Sequence, residues 1–121
     1  MYAYIDGDDI GLKIENSFMN NDEVNLAFIN NKVKNIIETI TKYLISNKFE
    51  IIFSGADGII CKSDFIEAKG LLDFIRSNVE GITFSIGVGN SLRESYLALR
   101  YAKCNGKNVC AVYDLHFKLI R

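Results

Sequence analysis

This sequence predicts an α+β fold of ferredoxin-like order, βαββαβ followed by a further αβ unit, with helices packed on an antiparallel central sheet. Three observations predict it. Apolar residues recur at helical spacing from Leu26 to Leu44. Two short apolar runs, 49–53 and 58–61, flank a four-residue turn. Residues 82–88 alternate as a half-buried strand does.

Each element follows in order. Residues 1–5 are rich in aromatic and β-branched types and predict a strand. Asp6 to Gly11 is a turn cluster, and 12–23 is polar and irregular, with one helical turn at most. Asn21 or Asp22 caps the helix that buries Ile29, Val33, Ile36, Ile37, Ile40, Tyr43 and Leu44. Ser54-Gly55-Ala56-Asp57 suits the tip of a tight hairpin. Ser63 or Asp64 caps a second helix to about Ser77, with Phe65, Ala68, Leu71, Leu72 and Ile75 inward. Ser91 starts a third helix with Leu92, Tyr96, Leu99 and Ala102 on one stripe, and Gly106 ends it. Residues 108–113 predict the last strand. Gly87 and Gly89 suit a bulge or a close helix approach, and Tyr2, Tyr4 and Tyr101 suit the sheet and core.

Bulk composition narrows the function. The 121 residues fit one domain, 1–121, and 49% hydrophobic with 24% charged residues supports a packed core. A net charge of −1 argues against stable nucleic-acid binding. No apolar run is long enough to span a bilayer, and residues 1–15 show no secretion signal, so a cytoplasmic protein is expected. Cys61, Cys104 and Cys110 lack CxxC spacing and read as reduced thiols rather than a zinc site. His116 stands alone and reads as a surface or packing residue.

Topology brings distant polar residues together. With strand order 4-1-3-2 as premise, Asp6 ends the first strand beside Asp57, which opens the third. The last helix climbs to the same edge, carrying Lys103, with Lys107 just beyond. Two carboxylates placed side by side repel unless a cation lies between them. Magnesium takes such oxygens together with phosphate oxygens and water, and manganese is the alternative. Lysines supply point charges to the β- and γ-phosphates. The small residues of Gly7-Asp8-Asp9-Ile10-Gly11 let backbone amides approach phosphate, and Gly7 offers a carbonyl oxygen to the metal. Loop capping is preferred for Asp8 and Asp9 over a place at the metal or at a nucleotide hydroxyl. As ordinary residues, Asp6 starts a turn and the lysines complement a helix dipole; only their convergence lifts them above that.

Three segments carry a resemblance. Tyr4-Ile5-Asp6-Gly7-Asp8, then Ser54-Gly55-Ala56-Asp57-Gly58, then Ser85-Ile86-Gly87-Val88 with Ala98 to Lys103 and Gly106-Lys107-Asn108, resemble the nucleotidyl-cyclase palm. That palm is shared by diguanylate cyclases (the GGDEF family) and CRISPR polymerases, and the short chain looks most like the minimal CRISPR polymerase group, mCpol. The resemblance implies Asp6 and Asp57 as catalytic metal carboxylates, with the Gly7 carbonyl beside them. It implies Gly55, Ala56, Lys103 and Lys107 at the nucleotide. Cyclic-nucleotide synthesis from nucleoside triphosphates in prokaryotic antiviral defence follows, with ATP favoured and two palms facing in a homodimer or higher homo-oligomer. Two departures stand out: Ala56 replaces the second glycine of the signature, and Gly58 replaces its acidic fourth residue. The rivals are an inactive palm that senses nucleotide or serves in assembly, and a cyclase making a cyclic mononucleotide.

Overall fold

The computed structural model describes residues 1–121. In chain order the elements are β1 (Tyr2–Gly7), α1 (Ile10–Met19), α2 (Glu23–Ser46), β2 (Glu50–Gly55), β3 (Gly58–Lys62), α3 (Ala68–Asn78), β4 (Phe84–Gly89), α4 (Leu92–Cys104), β5 (Cys110–Asp114) and β6 (His116–Ile120). One six-stranded sheet has the order β2-β3-β1-β4-β5-β6. Its first four strands reproduce the expected order and are antiparallel throughout. β5 joins β4 in parallel, so the full sheet is mixed.

Strand alternation separates two faces. Ala3 and Ile5 of β1, with Ile59, Cys61, Phe84, Ile86 and Val88, meet Ile37, Ile40 and Leu44 of α2 and Leu71, Leu72 and Ile75 of α3. Tyr43 of α2 stacks on Phe74 of α3, with ring centroids 3.7 Å apart. On the other face a smaller cluster joins Ala98 and Ala102 of α4 to Val109 and Ala111. Small residues bring α4 close. A Cβ on Gly87 would lie 2.2 Å from both the Leu99 nitrogen and the Ser95 oxygen, which are backbone atoms and cannot turn aside. Close helix approach is therefore what Gly87 provides.

Several expectations need correction. Residues 12–23 are not irregular: α1 runs through most of them. Its sequence hides it, because Leu12, Phe18 and Met19 are exposed while Ile10 and Ser17 are buried. Packing against α2, including Asn25 donating to the Ser17 hydroxyl at 2.9 Å, overrides the weak local pattern. α3 begins at Ala68 with Glu67 as its cap, later than Ser63 or Asp64. Ser63 instead extends the sheet, its amide donating to the Met1 carbonyl at 3.0 Å. Phe65 consequently lies 72% exposed rather than inward. On α4 the buried stripe is Ser95, Ala98, Leu99 and Ala102, with Leu92 and Tyr96 exposed. β6 was not expected. Leu115, at φ 65°, reverses the chain, and Phe117 stacks on Tyr101 at 4.5 Å. His116 is exposed on β6, as a surface residue.

One buried carboxylate fixes the edge where β1 ends. Asp8 is 4% exposed. It accepts from Thr83 and Ser85 at 2.7 Å each, from Lys103 Nζ at 2.8 Å and from the Asn108 amide at 3.0 Å. Its own amide donates to the Thr83 carbonyl at 2.9 Å. The loop after β1, the start of β4 and the loop after α4 are thereby tied together. The last of these loops is strained, with Gly106, Lys107 and Asn108 all at positive φ (101°, 60° and 51°).

Two predictions follow from this packing. Gly87→Ala must push α4 off β4, and a loss of about 3 kcal/mol is expected in urea unfolding. Burial pushes the Asp8 pKa up, but hydrogen bonds from Lys103, Thr83 and Ser85 outweigh it and hold the group below the ordinary carboxylate value. A depressed folded pKa stabilises above the unfolded value, about 3.9, and that stability is lost as pH falls through the folded value. Asp8→Asn should therefore cost about 2–3 kcal/mol at pH 7, the gap to wild type closing below about pH 4. An equal gap at pH 7 and pH 3 would contradict this.

Candidate active site

The backbones of Asp6 and Asp57 lie side by side at the edge where the topology expects them. Asp6 lies opposite Gly58 in the β1–β3 register, and the Gly7 amide donates to the Asp57 carbonyl at 2.9 Å. A Cβ on Gly7 would sit 3.5 Å from the Asp57 Cβ, so the Asp57 side chain starts on the Gly7 side of β1, whereas Asp6 faces Lys103 of α4. Burial raises the Asp6 pKa first; Asp57 and Asp8 raise it further, while Lys103 lowers it. The net rise means that burial and the neighbouring carboxylates outweigh Lys103 at this group. Tyr4, two residues before Asp6 on the same face, is also pushed up, by burial and then by Asp6 and Asp57.

Lys103 reaches this edge from the last turn of α4. Its ammonium lies 3.2 Å from Asp6 Oδ2, 2.9 Å from the Gly7 carbonyl, 2.8 Å from Asp8 Oδ1 and 3.4 Å from the Asp6 carbonyl. Lys107, at its left-handed position, pairs with Asp9 on the surface. Asp9 raises the Lys107 pKa through that hydrogen bond.

The loop capping expected of Asp8 and Asp9 gives way to other tasks, and neither side chain caps α1. Asp8 is spent on Thr83, Ser85, Lys103 and Asn108. Asp9 occupies the N-cap position at φ 61° but makes no side-chain cap bond. The first intrahelical bond runs from Lys13 to the Asp9 carbonyl, at 3.1 Å. The amides of Ile10, Gly11 and Leu12 therefore open the helix without intrahelical partners, an arrangement that favours anions.

At the hairpin, β2 continues to Gly55, and Ala56 turns at φ 49°. A left-handed alanine costs roughly 1–2 kcal/mol, so the missing second glycine of the signature carries strain. Behind the hairpin lies a cavity of about 830 Å³. Ile10, Gly11 and Ile14 of α1, residues of α2 and Ser54 to Asp57 line it. Its α2 wall is apolar at Leu26, Ile29, Val33 and Ile37 and polar at Asn30, Lys34 and Glu38. Sequence reasoning missed this cavity because it placed no helix at α1 to close it against α2. It also missed Thr83, Ser85 and Asn108. A signal existed for the first two: polar residues at i and i+2 in an apolar strand share one face.

No group of three or more His, Cys, Asp or Glu side chains is arranged to hold a metal ion. The oxygens that fit a hard cation are the Asp6 and Asp57 carboxylates with the Gly7 carbonyl, and Lys103 already places a positive charge on Asp6 and Gly7. Such a set is small, and suits an ion that also draws ligands from phosphate.

No helix is long and apolar enough to cross a membrane. Among curated proteins none matches the chain. Among solved structures, the active GGEEF domain of a diguanylate cyclase from Vibrio cholerae is similar, with a TM-score of 0.59 at 24% identity. The alignment covers 93% of this chain and 81% of that one, and it shows a shared fold. The family model described as the minimal CRISPR polymerase domain matches residues 2–113. On that match, which spans nearly the whole chain, the protein belongs to the minimal CRISPR polymerase (mCpol) family.

Proposed function

We propose that this palm joins nucleoside triphosphates, ATP first among them, into a cyclic di- or oligonucleotide with release of pyrophosphate. The carrying observation is the junction of three features at one edge: the adjacent backbones of Asp6 and Asp57, the open first turn of α1, and the cavity behind the hairpin. Membership in a polymerase-domain family supports a nucleotidyltransferase-type activity. ATP preference and a part in antiviral defence rest on the likeness to CRISPR polymerases.

Each residue has a task in this scheme. The cavity takes a base, with Ile10, Ile14 and Val33 against its faces and Asn30 at its polar wall. The Ile10 to Leu12 amides and Lys107 hold phosphate oxygens, Lys107 exchanging Asp9 for them. Asp6, Asp57 and the Gly7 carbonyl would hold magnesium or manganese, which when bound offsets phosphate charge and acidifies a ribose hydroxyl. The attacking hydroxyl forms a bond to the α-phosphate in line, and the bond to pyrophosphate breaks. No protein side chain is positioned as an evident base for the hydroxyl proton. Each palm seats one reacting triphosphate, so ring closure needs two sites facing each other in a homodimer or larger assembly.

Gly58 favours a second reading, a palm without turnover that senses nucleotide. A Cβ there would lie 3.1 Å from Asp6 Oδ1, so an acid at this position would sit against Asp6, and here it is absent. A product assay decides. Purified protein with each of the four triphosphates and magnesium should release pyrophosphate and yield a cyclic product, most from ATP, read by mass spectrometry. A mass equal to a cyclic mononucleotide would redirect the reading to intramolecular cyclisation. No product from any triphosphate would sink the enzyme reading. Asp57→Asn should cut turnover by at least about 100-fold with an unchanged melting temperature, since it removes a negative charge from the reacting centre.

A further inference from the structure

The Lys103 ammonium has three N–H groups and meets four oxygens within 3.4 Å: Asp6 Oδ2, Asp8 Oδ1 and the carbonyls of Gly7 and Asp6. No N–H is left for a phosphate. Two of those oxygens, on Asp6 and Gly7, belong to the set assigned above to the metal. The other strong partner, Asp8, is not in that set and is 4% exposed. Lys103 is therefore tethered on one side and exchangeable on the other.

We propose that Lys103 is a built-in stand-in cation, holding the metal's oxygens in the free protein and surrendering them when a divalent ion enters. This rests on the metal reading of Asp6 and Gly7. Without a positive charge at this point, the Asp6 and Asp8 carboxylates, both within 3.2 Å of the ammonium, would face each other unscreened. With Lys103 in place the edge stays ordered before metal arrives. The anchor at Asp8 keeps the ammonium close after it gives up Asp6 and Gly7. N–H groups released from those oxygens then face the metal-bound triphosphate. Lys103 is thus a positioning residue whose availability to phosphate depends on the metal. The position of α4, set by its backbone contact with Gly87, puts the side chain within reach.

A competing ammonium lowers the affinity of the free protein for metal, so removing it should tighten binding. Mn²⁺ binding to nucleotide-free protein, read by electron paramagnetic resonance of the free ion, provides the test. Lys103→Met should bind Mn²⁺ about tenfold more tightly than wild type. Lys107→Met removes an equal charge that does not touch these oxygens, and should stay within about twofold. Equal or weaker binding by Lys103→Met, with wild type still binding, would overturn the stand-in role and leave the metal reading standing. So would a matching gain in Lys107→Met. No binding by wild type, or binding unchanged in Asp6→Asn, would overturn the metal reading and the proposal with it. Asp8 retains Thr83, Ser85 and Asn108 in the variant, so it should fold. Should it not, lysine-¹³Cε resonances of wild type decide: one signal, absent in Lys103→Arg, should shift on adding Mg²⁺, and an unmoved signal would overturn the proposal.

Discussion

A single ammonium holds the working edge of this molecule together. Asp6, Gly7 and Asp8 present two carboxylates and two carbonyl oxygens to Lys103. Side-chain exposures of 21% for Lys103 and 3% for Asp8 put this pair where water screens little. A buried pair of this kind is weak evidence for stability as such. Its consequence is geometric: α4 cannot slide or rotate relative to β1 without leaving a desolvated charge unpaired. The position of every other group at the edge follows from that lock.

Packing elsewhere serves the same edge. Gly87 lets α4 lie against β4 at backbone contact, which sets how far the helix reaches. Thr83, just before β4, and Ser85 within it orient the Asp8 carboxylate toward Lys103. The loop after α4 takes three successive positive φ values, and the Asn108 amide, held by Asp8, helps fix it. That loop also places Lys107 beside Asp9. Strain in the loop is offset by the same carboxylate that secures Lys103, so the two lysines of the site share one anchor.

The fold was legible wherever burial wrote a period into the sequence. α2 shows it from Ile29 to Leu44, and β1 alternates Ala3 and Ile5 with Tyr2, Tyr4 and Asp6. α1 escaped because its helix is stabilised by contacts with α2 rather than by its own pattern, and its exposed Leu12, Phe18 and Met19 obscure the true buried face. β6 escaped because its reversal depends on a left-handed leucine, Leu115, a residue no turn rule selects. At the site, the backbone adjacency of Asp6 and Asp57 was legible from topology alone. The task of Asp8 was not, since burial of a carboxylate depends on donors 75 to 100 residues away. Short local motifs favour capping for an aspartate before a helix; tertiary donors won.

Gly58 changes what kind of metal site this palm can be. In the proposed site the protein would offer two carboxylates and a carbonyl, and one of those carboxylates, Asp6, is already paired with Lys103. Magnesium parts with its waters reluctantly and commonly binds through one or two carboxylates together with substrate phosphates. A third acid at Gly58, against Asp6 Oδ1, would supply a more complete protein site at the cost of further repulsion among carboxylates. Its absence shifts the balance toward the substrate. The triphosphate then brings the remaining oxygens, so the free protein holds the ion and the proposed nucleotide tightens it. Loss of the acid therefore does not by itself mean loss of chemistry; it moves part of the ion's ligand set from the protein to the substrate.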